Sequence, residues 1–336
     1  MPDIDTSPVA GIAGSGVANQ IAYWSAATTL AGDTGFTVDP TNNAMTVGVA
    51  RIHSTGTSNT FVGEGSGNFT LTASNCCAFG RNALISVSSG GSNSAFGEEA
   101  LNGLATGTDC SAFGFNALLL NTAASNSAFG ARALDSNTIG TRQCAFGTDA
   151  LSAITTSSDC SAFGFNALLL NTGASNSAFG SGALDANTTG ANMCAFGFNA
   201  LGASTTGASN CAFGVSALLL ITNGSNNSAF GFAALSTAST ANDNSAFGQN
   251  ALLNNTGTTN AAFGALSLQS NTTASSNSAF GYNAMNLTTT GANSSAFGAA
   301  ALDANTTGGE NSAFGFTALG ANTIGVDNCA FGVNAL

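Results

Sequence analysis

From residue 58 onward, apolar and polar positions follow one order that returns every 16 or 17 residues. The anchor is Ala-Phe-Gly, with Phe at 79, 96, 113, 129, 146, 163, 179, 196, 213, 230, 247, 263, 280, 297, 314 and 331. A degenerate copy precedes these: in Asn59-Thr60-Phe61-Val62-Gly63, Val62 stands seventeen residues before Phe79 and so falls in the Phe column. Counting from each Phe as zero, Asn is usual at −3, Ser or Cys at −2, Ala at −1, Gly at +1, Ala often at +4, and Leu at +5, with Met285 once. A Thr-rich stretch at +8 to +10 follows, as in Asn187-Thr188-Thr189, and commonly ends in Gly at +11 (Gly140, Gly190, Gly308). After Ser58 the charged residues fall only at −4 (Asp109, Arg142, Asp159), +2 (Glu64, Arg81, Glu98), +3 (Glu99, Arg132, Asp149) and +6 (Asp135, Asp185, Asp303) or their repeats, so those columns should face water.

This period is too short for a two-helix repeat, which needs about 33 residues or more, and the Gly, Asn and Thr in each unit oppose a helix. Two strands of about five residues with two turns fill it. The pattern therefore predicts an all-β protein, a parallel β-solenoid or β-roll of about seventeen coils spanning 58–336. Alternate residues of a strand point to opposite faces, so the −2 residue and the Phe share one face while the −1 Ala and the +1 Gly share the other. A Phe buries about 150–250 Å², which predicts a core of Phe96, Phe113, Phe163 and Phe247 with Leu101, Leu118, Leu168 and Leu252. The Ala-Gly face would then lie outside, and its lack of bulk predicts close packing against another surface. A coil this small makes a thin core, and thin β structures need a partner or closure; an oligomer joined through the Ala-Gly face is the expectation.

Composition narrows the function. Only 6% of the 336 residues are charged, against about 25% in an ordinary soluble domain. Lys is absent, the four basic residues are all Arg, and His53 is the single His, so the chain has few groups for acid–base chemistry. No enzyme, catalytic residue, cofactor or metal site is predicted. A net charge of −12 repels phosphate backbones, which argues against nucleic acid. No apolar run approaches the 18 residues of a membrane span, so no membrane insertion is expected, and the first residues lack the basic and apolar regions of a secretory signal.

The eight cysteines sit at −2 (Cys77, Cys144, Cys194, Cys211, Cys329) and −3 (Cys76, Cys110, Cys160), where Ser and Asn are commonest, and suit the role of small buried fillers. Cys194 and Cys211 are same-column neighbours whose spacing of about 4.8 Å lies in the disulfide range. No Cys-x-x-Cys accompanies a His, so zinc has no support. Gly63-Glu64-Gly65-Ser66-Gly67 lacks the Lys of a phosphate loop. Stacked Asn side chains can hydrogen-bond from coil to coil, and Asn tolerates the left-handed backbone of tight corners. A regular Thr array also admits an ice- or glycan-contacting face, although it breaks at Val87-Ser88-Ser89, at Ile221 and at Ala238-Ser239.

The unit Asn-Ser-Ala-Phe-Gly-x-x-Ala-Leu-x-x-Asn-Thr-Thr-Gly resembles the repeats of many phage tail-fibre proteins and, more distantly, the Asn-Ser-x-Ala-Ile-Gly repeats of trimeric autotransporter adhesin heads. Residues 16–25 (Gly-Val-Ala-Asn-Gln-Ile-Ala-Tyr-Trp-Ser), continuing through Leu30 to Phe36-Thr37-Val38, are similar to a short module that precedes such repeats. The resemblance implies a homotrimer of parallel β-solenoids, and packing through the Ala-Gly columns then places Ala112, Ala162, Ala212 and Ala296 at or near the subunit interface. It also implies a structural fibre of a virion or an extracellular surface that attaches to a host. A bacterial surface adhesin, or an ice- or glycan-binding solenoid, is the alternative. Residues 1–57 hold all three prolines and the only His and Trp. They form a separate N-terminal unit: a connector to a larger assembly, or a cap on the first coil. A cell-surface receptor is the remaining partner expected.

Overall fold

The computed structural model describes residues 57–68 and 72–336, together with strand residues 28–29, 36–39, 44–47 and 50–53. The resemblance at residues 16–25 and Leu30, and most of the proposed connector, lie outside the described residues. Four short strands come first: β1 (Thr28–Thr29), β2 (Phe36–Asp39), β3 (Ala44–Val47) and β4 (Ala50–His53). They pair antiparallel in chain order, and β4 pairs antiparallel with β5 (Thr60–Val62), setting Ile52 opposite Val62 and His53 opposite Phe61.

From β5 onward the chain is a β-solenoid of seventeen parallel strands and about sixteen turns, ending at β21 (Cys329–Phe331). Each strand pairs in register with the next, so Val62 meets Phe79, and Phe163 lies between Phe146 and Phe179. The register survives the change between 16 and 17 residues because the missing residue comes out of the Thr-rich corner: Thr122-Ala123-Ala124 precedes Ser125 where Thr188-Thr189-Gly190-Ala191 precedes Asn192. The expected pair of five-residue strands per coil is not found. Each coil carries one strand of three residues, and turns complete it. Those turns are also hydrogen-bonded from coil to coil, as in Leu101 N–H to Ala117 O (3.0 Å) and Thr138 N–H to Thr155 O (2.8 Å), so little backbone is left without a partner.

Besides the Gly at +1, whose φ is also positive, the corners need a left-handed backbone three times per coil. At −4 and +3 this falls often to Asn or Asp, as at Asp109, Asn116, Asn166 and Asp159, which tolerate it, but also to Glu99, Arg132, Arg142 and Thr317. At +5 it falls to the Leu column itself, with φ between 49° and 54° from Leu84 through Met285 to Leu319. A bulky residue there is strained; the return is burial, since Leu101, Leu118, Leu168 and Leu252 are wholly enclosed.

The interior corrects the sequence reading at its centre. The strands run half-buried, buried, half-buried, and the buried position is Ala at −1. Ala112, Ala162, Ala212 and Ala296 are completely enclosed within a single chain and cannot line a seam between chains. Phe96, Phe113, Phe163 and Phe247 do form one column, but it lies on the outward face and is only half-buried. The reason is volume. Ala at −1, Ala at +4, Leu at +5 and Asn or Cys at −3 already fill the coil's narrow section, and strand alternation then sends the Phe outward. The first coil shows the same constraint in reverse: Phe61 occupies the Ala column and is fully buried because Gly67 stands where other coils have Leu, leaving the ring its space.

Buried Asn side chains zip the coils together. Asn126 accepts the backbone N–H of Gln143 (3.0 Å) and donates to Gly140 O (2.8 Å) and Asn121 Oδ1 (2.9 Å). Asn244 donates to Asn227 Oδ1, Asn242 O and Gly257 O, and accepts from Asn260 N–H. These bonds give the buried amides the partners that burial requires.

Candidate interaction surface

The outward face of the stacked strands is two columns wide. One column is the Phe ladder: sixteen rings from Phe79 to Phe331 stack with centroids 4.5–5.0 Å apart and planes within 13° of parallel. The coil rise imposes this spacing, and each ring–ring contact contributes about 0.5–1.5 kcal/mol beyond its buried area. Phe331, stacked on one side only, is 69% exposed, whereas the rings between two neighbours are mostly half-buried. The second column, at −2, is Ser, Cys or Ala in all sixteen coils.

Beside the ladder, at +2, stand Phe115, Phe165, Phe198, Phe232, Tyr282 and Phe316, all about half exposed. Sequence reasoning passed over these aromatics. A signal was present, because their column also holds Glu64, Arg81 and Glu98, the mark of a position open to solvent. The charged columns do reach solvent: from Glu64 to Asp327 no charged side chain is buried. Three arginines pair with acids one coil on. Arg132 makes a bidentate contact with Asp149 (2.6 Å for each bond), Arg142 does so with Asp159 (2.5 and 2.8 Å), and Arg81 meets Glu98. The Arg142 hydrogen bond holds the Asp159 carboxyl below its ordinary range. Exposed pairs of this kind add little stability.

All eight cysteines are free thiols; Cys76, Cys110 and Cys160 are buried, and those at −2 are half-buried or exposed. Burial raises the pKa of Cys110 and Cys160, against hydrogen bonds from neighbouring Asn and Ser residues, which makes them poor nucleophiles at neutral pH. Cys194 and Cys211 are direct partners in β13 (Cys194–Phe196) and β14 (Cys211–Phe213). Thr at +9 forms a ladder whose hydroxyls donate to the next coil's carbonyl, as Thr138 to Thr155 O (2.9 Å) and Thr172 to Thr188 O (2.6 Å), so these donors are already engaged.

Among the described residues no three His, Cys, Asp or Glu side chains are grouped to hold a metal ion, and no helix is long and apolar enough to cross a membrane. Comparison with known proteins finds no family model, no curated protein and no solved structure that matches the chain.

Proposed function

We propose that this chain is a structural, non-enzymatic protein: the shaft of a homotrimeric fibre, of the kind that a phage tail or side fibre uses to attach to a host surface. One observation carries the reading. About sixteen turns stack without interruption, and the repeated side chains are spent on joining coil to coil. A solenoid of seventeen strands at about 4.8 Å per coil is a rod of roughly 80 Å, a shape suited to spanning a distance. Residues 1–57 are the connector to the larger assembly, with β4 joining that segment to the first coil through β5. The setting is a virion or an extracellular surface, and the partner at the far side of the attachment is a cell-surface receptor.

The test joins light scattering with electron microscopy of the purified chain. Three times the 32.7 kDa chain mass in a rod of roughly 80 Å is expected. A compact particle, or a single-chain mass, overturns the fibre.

A further inference from the structure

The Phe ladder and the −2 column together make a ridge beside a trough, and we infer that this outward strand face is the seam through which copies of this chain pack, the Phe ridge of one copy lying in the Ser/Cys trough of the next. The inference deepens the fibre reading and rests on it. It also moves the seam away from the −1 Ala column, which the chain's own coils enclose.

Four features of the face point to a second copy as the occupant. No charge enters either column in any coil, although the chain carries sixteen acidic residues. The −2 position is half-exposed, yet it never holds a side chain larger than Cys in the sixteen Ala-Phe-Gly coils. Within one chain nothing demands that, because the side chain points outward; a ridge seated above it does. The apolar strip is long: the sixteen rings are half-buried or exposed and follow one another without a break along the shaft, and a large continuous apolar patch marks a site of association. Finally, the rings repeat at 4.5–5.0 Å along the whole shaft. A surface with that translational repeat is matched at every step by another of the same repeat, and a copy of this chain in parallel register has it. Because ridge and trough are different surfaces on one chain, each copy can give its ridge to one neighbour and its trough to another, which closes as a ring about an axis along the shaft.

The test fills the trough. Ser161→Phe with Ser177→Phe places bulk on two outward positions, where the isolated coil has room, and should reduce the mass in solution to one chain with an unchanged circular dichroism spectrum. Leu120→Phe with Leu170→Phe, exposed positions off this face, should leave the assembly intact. An intact trimer in the trough variant overturns the seam but keeps the fibre. A single-chain mass for the unmodified protein overturns the fibre reading and the seam with it. A two-chain species that the trough variant abolishes overturns the trimer and supports the seam.

A second measurement needs no variant. In the assembled protein Cys144, Cys194 and Cys211 lie in the covered trough, so a maleimide should modify them as slowly as buried Cys110 and Cys160. Modification well ahead of those two means that the trough is open and overturns the seam.

Discussion

Replacing Gly164 by Ala tests why a bare residue follows every Phe. Gly164 has φ +141°, and a Cβ there would lie 2.5 Å from the carbonyl oxygen of Gly180, 2.6 Å from its carbonyl carbon and 2.9 Å from the amide nitrogen of Ser181. All three are backbone atoms of the next coil, which is held in place by Gly180 N–H donating to Phe163 O at 2.8 Å. Relief by movement would break that bond. The unfavourable backbone region costs about 1–3 kcal/mol and the overpacking about 1–3 kcal/mol more, so Gly164→Ala should lose roughly 2–6 kcal/mol. Two other glycines separate the contributions. Gly332, in the last coil, has φ +125° and nothing within 4 Å of a new Cβ, so its Ala variant should show only the backbone cost. Gly202 lies in the +6 column with its nearest neighbours at 3.3 Å, and other coils hold Asp or Ser there; Gly202→Ala should change stability by less than about 1 kcal/mol. Urea unfolding followed by far-ultraviolet circular dichroism gives the global values. Hydrogen exchange of β11 (Ser161–Phe163) and β12 (Ser177–Phe179) gives the local ones. Equal midpoints for the Gly164 and Gly202 variants would refute coil-on-coil contact as the reason for this column.

Leu168→Ala should cost about 2–5 kcal/mol as an enclosed truncation, and Phe163→Ala less when measured on the single chain, since its ring is half-buried; the reverse order in urea would restore the Phe column to the core. Asn244→Ala removes the acceptor of Asn260 N–H and one of the two side-chain donors to Gly257 O, Asn255 remaining, and should cost about 1–3 kcal/mol; a change under about 0.5 kcal/mol, the spread of surface substitutions, would contradict the zip. Burial raises the Asp185 pKa above its ordinary 3.8, so the folded state holds its proton more tightly than the unfolded chain does. Stability then falls as pH rises through that window, and Asp185→Asn should be more stable than the parent at pH 7 but equal to it below the unfolded value; thermal melts at both pH values decide this.

Much of the solenoid was legible because a period is a property of the chain. The in-register strands, the place of Val62 before Phe79, the solvent-facing charged columns and the enclosed Leu column all follow from counting. The choice of strand length was not legible, since the left-handed corners that shorten each strand to three residues fall at +3 and +5, and +5 is occupied by Leu, a residue type that gives no sign of it.

Alternation along a strand determined which residues share a face: −2 with Phe, and −1 with its opposite. Which of those faces is the inside was decided by tertiary structure alone. The section of a closed 16- or 17-residue coil has a fixed volume, and whether Ala or Phe fits in it depends on what the other corners bring. Ala at +4 and Leu at +5 leave room for Ala112 and Ala162, whereas Gly67 leaves room for Phe61. Sequence periodicity orders the side chains around the coil, and the space enclosed when the coil closes decides which of them it can hold.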